Sequence, residues 1–243
     1  MSALLGLLAL HAAGSVLMAL LTRARVVDTL RSPTSTWAAI AGLFAVALGP
    51  AGGVLGAALL VTLWRTRTTP ATPSTPWVPL AVLSALVLAR PSVPTGWDEF
   101  VWLAKARIEA LGFSEGVRAA LDPALRVGPA GYPPLWPLAV SWVGLGVDAL
   151  DAHVLAGSLL MLLSVASAAE AWWPTLITSR RGRLLGLAVA LSAPLVWVHV
   201  RSTYLDLPLG LLAAATVGFL CTGRFGLASV VAVVMAGFKD EGL

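Results

Sequence analysis

Residues 4–21 read LLGLLALHAAGSVLMALL, an apolar run interrupted only by His11. About 20 such residues let a helix cross the hydrocarbon of a bilayer. The run therefore reads as a first spanning helix or a signal anchor. The basic stretch that opens a cleavable signal is missing ahead of it. Comparable runs recur at 37–63, 77–93, 152–173, 182–200, 207–222 and 225–238. The whole chain has the same character: 58% of its 243 residues are hydrophobic and only 12% charged, with a mean hydropathy of +0.87. Sixteen basic and twelve acidic residues cannot clothe a soluble core of this size. Disorder would need low hydrophobicity. The fold class is an all-α polytopic transmembrane bundle of the kind that carries short amphipathic juxtamembrane helices.

Three regions follow from the pattern. Residues 1–96 hold the N-terminal apolar runs. Residues 97–148 form a polar centre with half of the acids, and residues 149–243 hold further apolar runs. The stretch 135–147 spans about 20 Å as a helix, short of a core of about 30 Å. The 37–63 run, broken by Gly49-Pro50 and Gly52-Gly53, reads as one tilted, kinked helix or as a re-entrant segment. Trp37, Trp64, Trp77, Trp97, Trp172, Trp173 and Trp197 lie near predicted segment ends, as an aromatic belt would. The lone Cys221 sits in an apolar run and reads as a buried, inert thiol; a disulfide within the chain is excluded.

The net charge is +4, and nearly all of its basic residues are arginine. No basic run or basic-aromatic stripe suggests nucleic-acid binding. In a membrane chain the arginines report orientation. The loop at Arg180, Arg181 and Arg183 is placed inside. Alternating spans then put Arg201 and Asp206 outside, Arg224 inside, and Lys239, Asp240 and Glu241 outside. Arg23, Arg25 and Arg31 also look inside, as do Arg65 and Arg67. A single helix between those two loops cannot satisfy both.

The candidates for chemistry are few. In 97–111, Val101, Ala104, Ile108 and Leu111 share one helical face, while Asp98, Trp102, Lys105 and Glu109 share another. Such a helix lies at the interface. Lys105 or Arg107 can hold a phosphate there. Asp98 can take a proton from a hydroxyl or hold a divalent metal. An ordinary interfacial helix with solvated charges fits the same periodicity. Asp206 before Leu207-Pro208 reads as a helix N-cap, with Arg201 and His199 near the same helix end. His11 and His153 read as structural. No phosphate loop, Ser-His-Asp set or zinc spacing is present.

Four motifs stand in order: Gly96-Trp97-Asp98-Glu99-Phe100 with Trp102 and Lys105-Ala106-Arg107; Tyr132-Pro133-Pro134-Leu135-Trp136-Pro137; Tyr204-Leu205-Asp206-Leu207-Pro208; and Lys239-Asp240-Glu241-Gly242. The series resembles bacterial membrane glycosyltransferases of the GT-C type, relatives of the dolichyl-phosphate-mannose protein mannosyltransferases and the lipid A aminoarabinose transferases. It covers roughly residues 77–243. The resemblance implies many spanning helices in the bacterial inner membrane and an active face outside. It implies a sugar donor on a polyprenyl phosphate, a lipid, glycan or protein acceptor, and contact with membrane lipids. It implies Asp98 as the catalytic carboxylate with Glu99 beside it. Tyr132 and its prolines would shape the loop over the donor, and Asp206 would line the same cavity. Lys105, Arg107, Arg201, Lys239 and Glu241 complete the donor and phosphate set. The last motif usually reads Lys-Asn-Glu-Gly, and here Asp240 replaces the Asn. No cofactor beyond a divalent metal at Asp98 is suggested. The chain is also short for the family and reads as an N-terminal fragment.

Two other classes compete. A transporter or permease subunit predicts ionisable residues within the spans, where only His11 is counted. A non-catalytic membrane protein predicts that the motifs share no site.

Overall fold

The computed structural model describes residues 2–47, 49–66, 103, 106–107, 135–145, 150–177, 179–194, 198–199 and 205–238. Among these the chain is all-helical, with no strand. The helices are α1 (Ser2–Thr22), α2 (Val26–Thr29), α3 (Thr34–Ala47), α4 (Gly49–Thr66), α5 (Leu135–Val143), α6 (Leu150–Leu176), α7 (Arg180–Ser192), α8 (Asp206–Cys221) and α9 (Phe225–Phe238). Two of them, Ser2–Thr22 and Ala152–Leu176, are long and apolar enough to cross a membrane. Shorter apolar helices cover Thr34–Val46, Asp206–Cys221 and Phe225–Phe238. The 77–93 run lies outside the described residues.

The bundle is organised around α6, whose apolar stretch is 83% buried, against 28% for α1. α1 packs chiefly on α3, and α6 on α8, which turns into α9. The contact of α1 with α3 is close because of Gly14. A β-carbon there would collide with the backbone carbonyl of Ser35, so a small residue at this point lets the two backbones meet.

The 37–63 run is not one kinked helix. A β-carbon on Gly56 would lie 3.4 Å from that of Ala45. Residues eleven apart on a continuous helix stand about 16 Å from each other. The chain therefore folds back between α3 and α4, where Gly49 and Pro50 weaken the helical ladder. α5 has only nine residues, about 14 Å, too short to cross. The predicted 182–200 helix begins earlier, at Arg180, and is interrupted after Ser192, with Pro194, Val198 and His199 helical again. Pro194 lacks an N–H and disfavours helix in the residue before it.

Two further expectations change. Trp37 is not in an interfacial belt: it is fully buried, and its Nε1–H donates to Ser167 Oγ at 3.0 Å. Trp172 likewise turns inward, donating to the Ala214 carbonyl at 2.8 Å. Cys221 is exposed, not buried, because the last turn of α8 presents it outward.

Candidate functional site

Three of the four sequence motifs contribute a described residue to the buried core, Ala106, Leu135 with Trp136, and Leu205, and it also takes in Phe238, the residue before the fourth. Two of these flanks touch directly. The Trp136 and Phe238 rings meet edge to face at 5.1 Å. Phe238 also meets Trp37, at 5.8 Å. A β-carbon on Gly237 would lie 2.6 Å from the Leu135 side chain, so the missing side chain lets α9 approach α5. The residues just after Tyr132-Pro133-Pro134 and those just before Lys239 thus form one packed unit. The Trp136 indole N–H is buried in it and finds no hydrogen-bond partner among the described residues.

The predicted site residues divide accordingly. Arg107 is helical and exposed, and Asp206 is exposed at the start of α8. Asp98, Glu99, Lys105, Tyr132, Arg201, Lys239 and Glu241 lie outside the described residues. In the first motif's helix Leu103 and Ala106 are buried; the predicted face of Val101, Ala104, Ile108 and Leu111 lies outside the described residues. Asp206 is not an N-cap. Leu205 holds that position without a side-chain cap, and Asp206 is the first helical residue. There its charge favours the positive end of the helix dipole. Among the described residues no three His, Cys, Asp or Glu side chains gather as a metal-ligand set.

A second polar centre went unread in the sequence. Glu170 lies inside α6, in the predicted 152–173 run, and is buried, so His11 is not the sole ionisable group within the predicted spans. Its carboxyl oxygens accept from Ser32 Oγ at 2.7 Å, Thr34 Oγ1 at 2.7 Å and the Thr34 N–H at 3.3 Å. Arg224 approaches from the turn between α8 and α9. Its Nη2 donates to the Glu170 and Ala171 carbonyls at 3.0 and 2.9 Å. Its Nε donates to Thr222 Oγ1 at 3.0 Å, and its guanidinium stacks 4.6 Å over the Phe219 ring.

The reason for this arrangement lies in Pro174, inside α6. Proline has no N–H, so the carbonyl four residues earlier, that of Glu170, loses its helical donor. Arg224 supplies a replacement from another helix pair. Burial pulls its guanidinium below its ordinary pKa, and the charge of Glu170 works in the opposite sense. The signals in the sequence were a lone Glu in an apolar run, a Pro four residues on, and a lone Arg between two apolar runs.

No protein-family model, curated protein or solved structure matches the chain.

Proposed function

We propose that the chain is part of a membrane glycosyltransferase that moves a sugar from a polyprenyl-phosphate donor to a lipid, glycan or protein acceptor at the external face. The observation that carries this reading is that residues of three motifs, Ala106, Leu135, Trp136 and Leu205, join Phe238, which precedes the fourth, in the hydrophobic core of the bundle. A group-transfer site needs its parts held within one small region.

Charge distribution supports the sidedness. Arg31 adjoins Ser32, which bonds Glu170, and Arg224 reaches the same stretch of α6. Arg183 Nε donates to the Ile177 carbonyl just beyond α6. Arginines therefore gather at the C-terminal end of α6, which the bias of basic residues assigns to the cytoplasm. Asp206 stands at the other end of α8 from Arg224, about 24 Å along the helix. The α3–α4 turn also lets Arg65 return toward the end where α3 begins. With α5 too short to cross, Leu135 stays on the face where α6 begins, the face of Asp206.

In the proposed reaction Asp98 accepts the proton of the acceptor hydroxyl. The acceptor oxygen forms a bond to the anomeric carbon as the bond from that carbon to the donor phosphate breaks, with inversion. The polyprenyl phosphate departs with the electron pair. Lys105, Arg201 or Lys239 balances its negative charge.

A transporter reading would draw on Glu170. Its carboxyl already receives three donors, which fits a tie between helices better than a site for a passing ion. The test is Asp98→Asn in the full-length protein, in membranes supplied with a lipid-linked sugar. Removal of a general base should lower transfer by about 100-fold or more. Undiminished transfer overturns the reading.

A further inference from the structure

We propose that residues 23–31 form a docking surface for anionic lipid headgroups. The assignment does not depend on the sugar-transfer reading. α1 is long and apolar enough to cross a membrane and ends at Thr22, so the segment that follows emerges at headgroup depth. It carries Arg23, Arg25 and Arg31, all exposed. Its one acid, Asp28, pairs with Arg25 at 2.9 Å. Two units of positive charge are left over. Interleaved with the arginines are Val26, Val27 and Leu30, which are also exposed. Cations alternating with apolar side chains suit the boundary between headgroups and acyl chains. A nucleic acid offers no apolar layer for the valines.

The surface is braced from behind. Thr29 Oγ1 donates to the Ser15 carbonyl at 2.8 Å, and Ser35 Oγ donates to the Thr29 carbonyl at 2.8 Å. The His11 ring meets the Leu30 carbonyl at 2.9 Å. The exposed side chains are therefore presented by a segment whose backbone is fixed to α1 and α3.

Arg23 supplies the sharpest sign. Its φ is +57°, the left-handed conformation just past a helix end that glycine adopts freely and a β-carbon resists. The fold alone would favour glycine there. A charge at that position therefore serves something other than local backbone comfort. Anionic lipid is a fitting partner, since each basic residue near a charged bilayer surface changes binding about fivefold.

Stability and lipid binding should consequently move in opposite directions. The full chain in neutral detergent is titrated with phosphatidylglycerol or phosphatidylcholine while its thermal midpoint is followed. Phosphatidylglycerol should raise the midpoint, phosphatidylcholine should not, and about 0.5 M salt should remove most of the rise. Arg23→Gly should unfold later than the native chain without lipid, yet bind phosphatidylglycerol about fivefold more weakly. The double variant with Arg31→Gln should lose about 25-fold. If Arg23→Gly does not fold, Arg31→Gln alone carries the test with a fivefold loss. Equal shifts with the two lipids, or an undiminished shift in the variants, overturn the proposal.

Discussion

α1 and α6 are both long apolar helices. Their surroundings differ. α1 turns Leu5, Leu8, Val16 and Leu20 outward, while α6 buries Leu159, Leu160, Met161, Leu162 and Leu163. Hydropathy therefore marks both as long and apolar enough to cross a membrane and says nothing about which is central. Their polar residues do separate them. Those of α1, His11, Ser15 and Thr22, lie on or beside the packed face. Ser15 donates back to the His11 carbonyl at 2.7 Å, and the His11 ring meets Thr36 at 2.9 Å. α6 carries Ser158, Ser164, Ser167, His153 and Glu170, all buried. Each polar group away from water must find a partner in protein. The helix with more of them is the more deeply buried one.

The contrast can be broken at three points. Glu170→Ala would strand the Ser32 and Thr34 donors in the interior and should destabilise by about 4 kcal/mol. Reversible unfolding in detergent measures it. A loss under about 1 kcal/mol would remove α6 from its central role. Leu160→Ala in α6 should cost about 3 kcal/mol through the cavity it opens, whereas Leu20→Ala on the outer face of α1 should stay within about 0.5 kcal/mol. Similar costs at the two sites would erase the distinction between the helices. Arg224→Met should cost about 2 kcal/mol, because it strips the donors from the Glu170 and Ala171 carbonyls. Combined with Pro174→Ala, which restores a backbone N–H to α6, that cost should fall by about half. Simple additivity of the two changes would mean that Arg224 does not compensate for the proline.

Much of the helical layout was legible because apolar runs and their breakers are local. The 225–238 run became α9 with the same limits, and the 207–222 run shifted by one residue at each end. What failed depended on distant partners. Gly49-Pro50 reads equally as a kink or as a turn, and only the contact of Gly56 with Ala45 decides between them. A tryptophan near a segment end suits a headgroup belt or a core. Trp37 went inward because Ser167, 130 residues away, accepts its N–H. Glu170 was passed over for the same reason: its donors lie 136 to 138 residues earlier. For the candidate site, order along the chain was readable and shared burial was not. The burial of Leu103 and Ala106 likewise depends on tertiary packing that the periodicity of 97–111 does not encode.

The exchange between Pro174 and Arg224 also bears on biosynthesis. In most helices each carbonyl is satisfied by an N–H that leaves the ribosome four residues later. The Glu170 carbonyl must wait for a guanidinium 54 residues downstream. Until the α8–α9 turn is made, the end of α6 has an open acceptor. The central helix of the bundle is therefore finished only when one of its last described turns arrives, and translation and assembly are coupled through a single side chain.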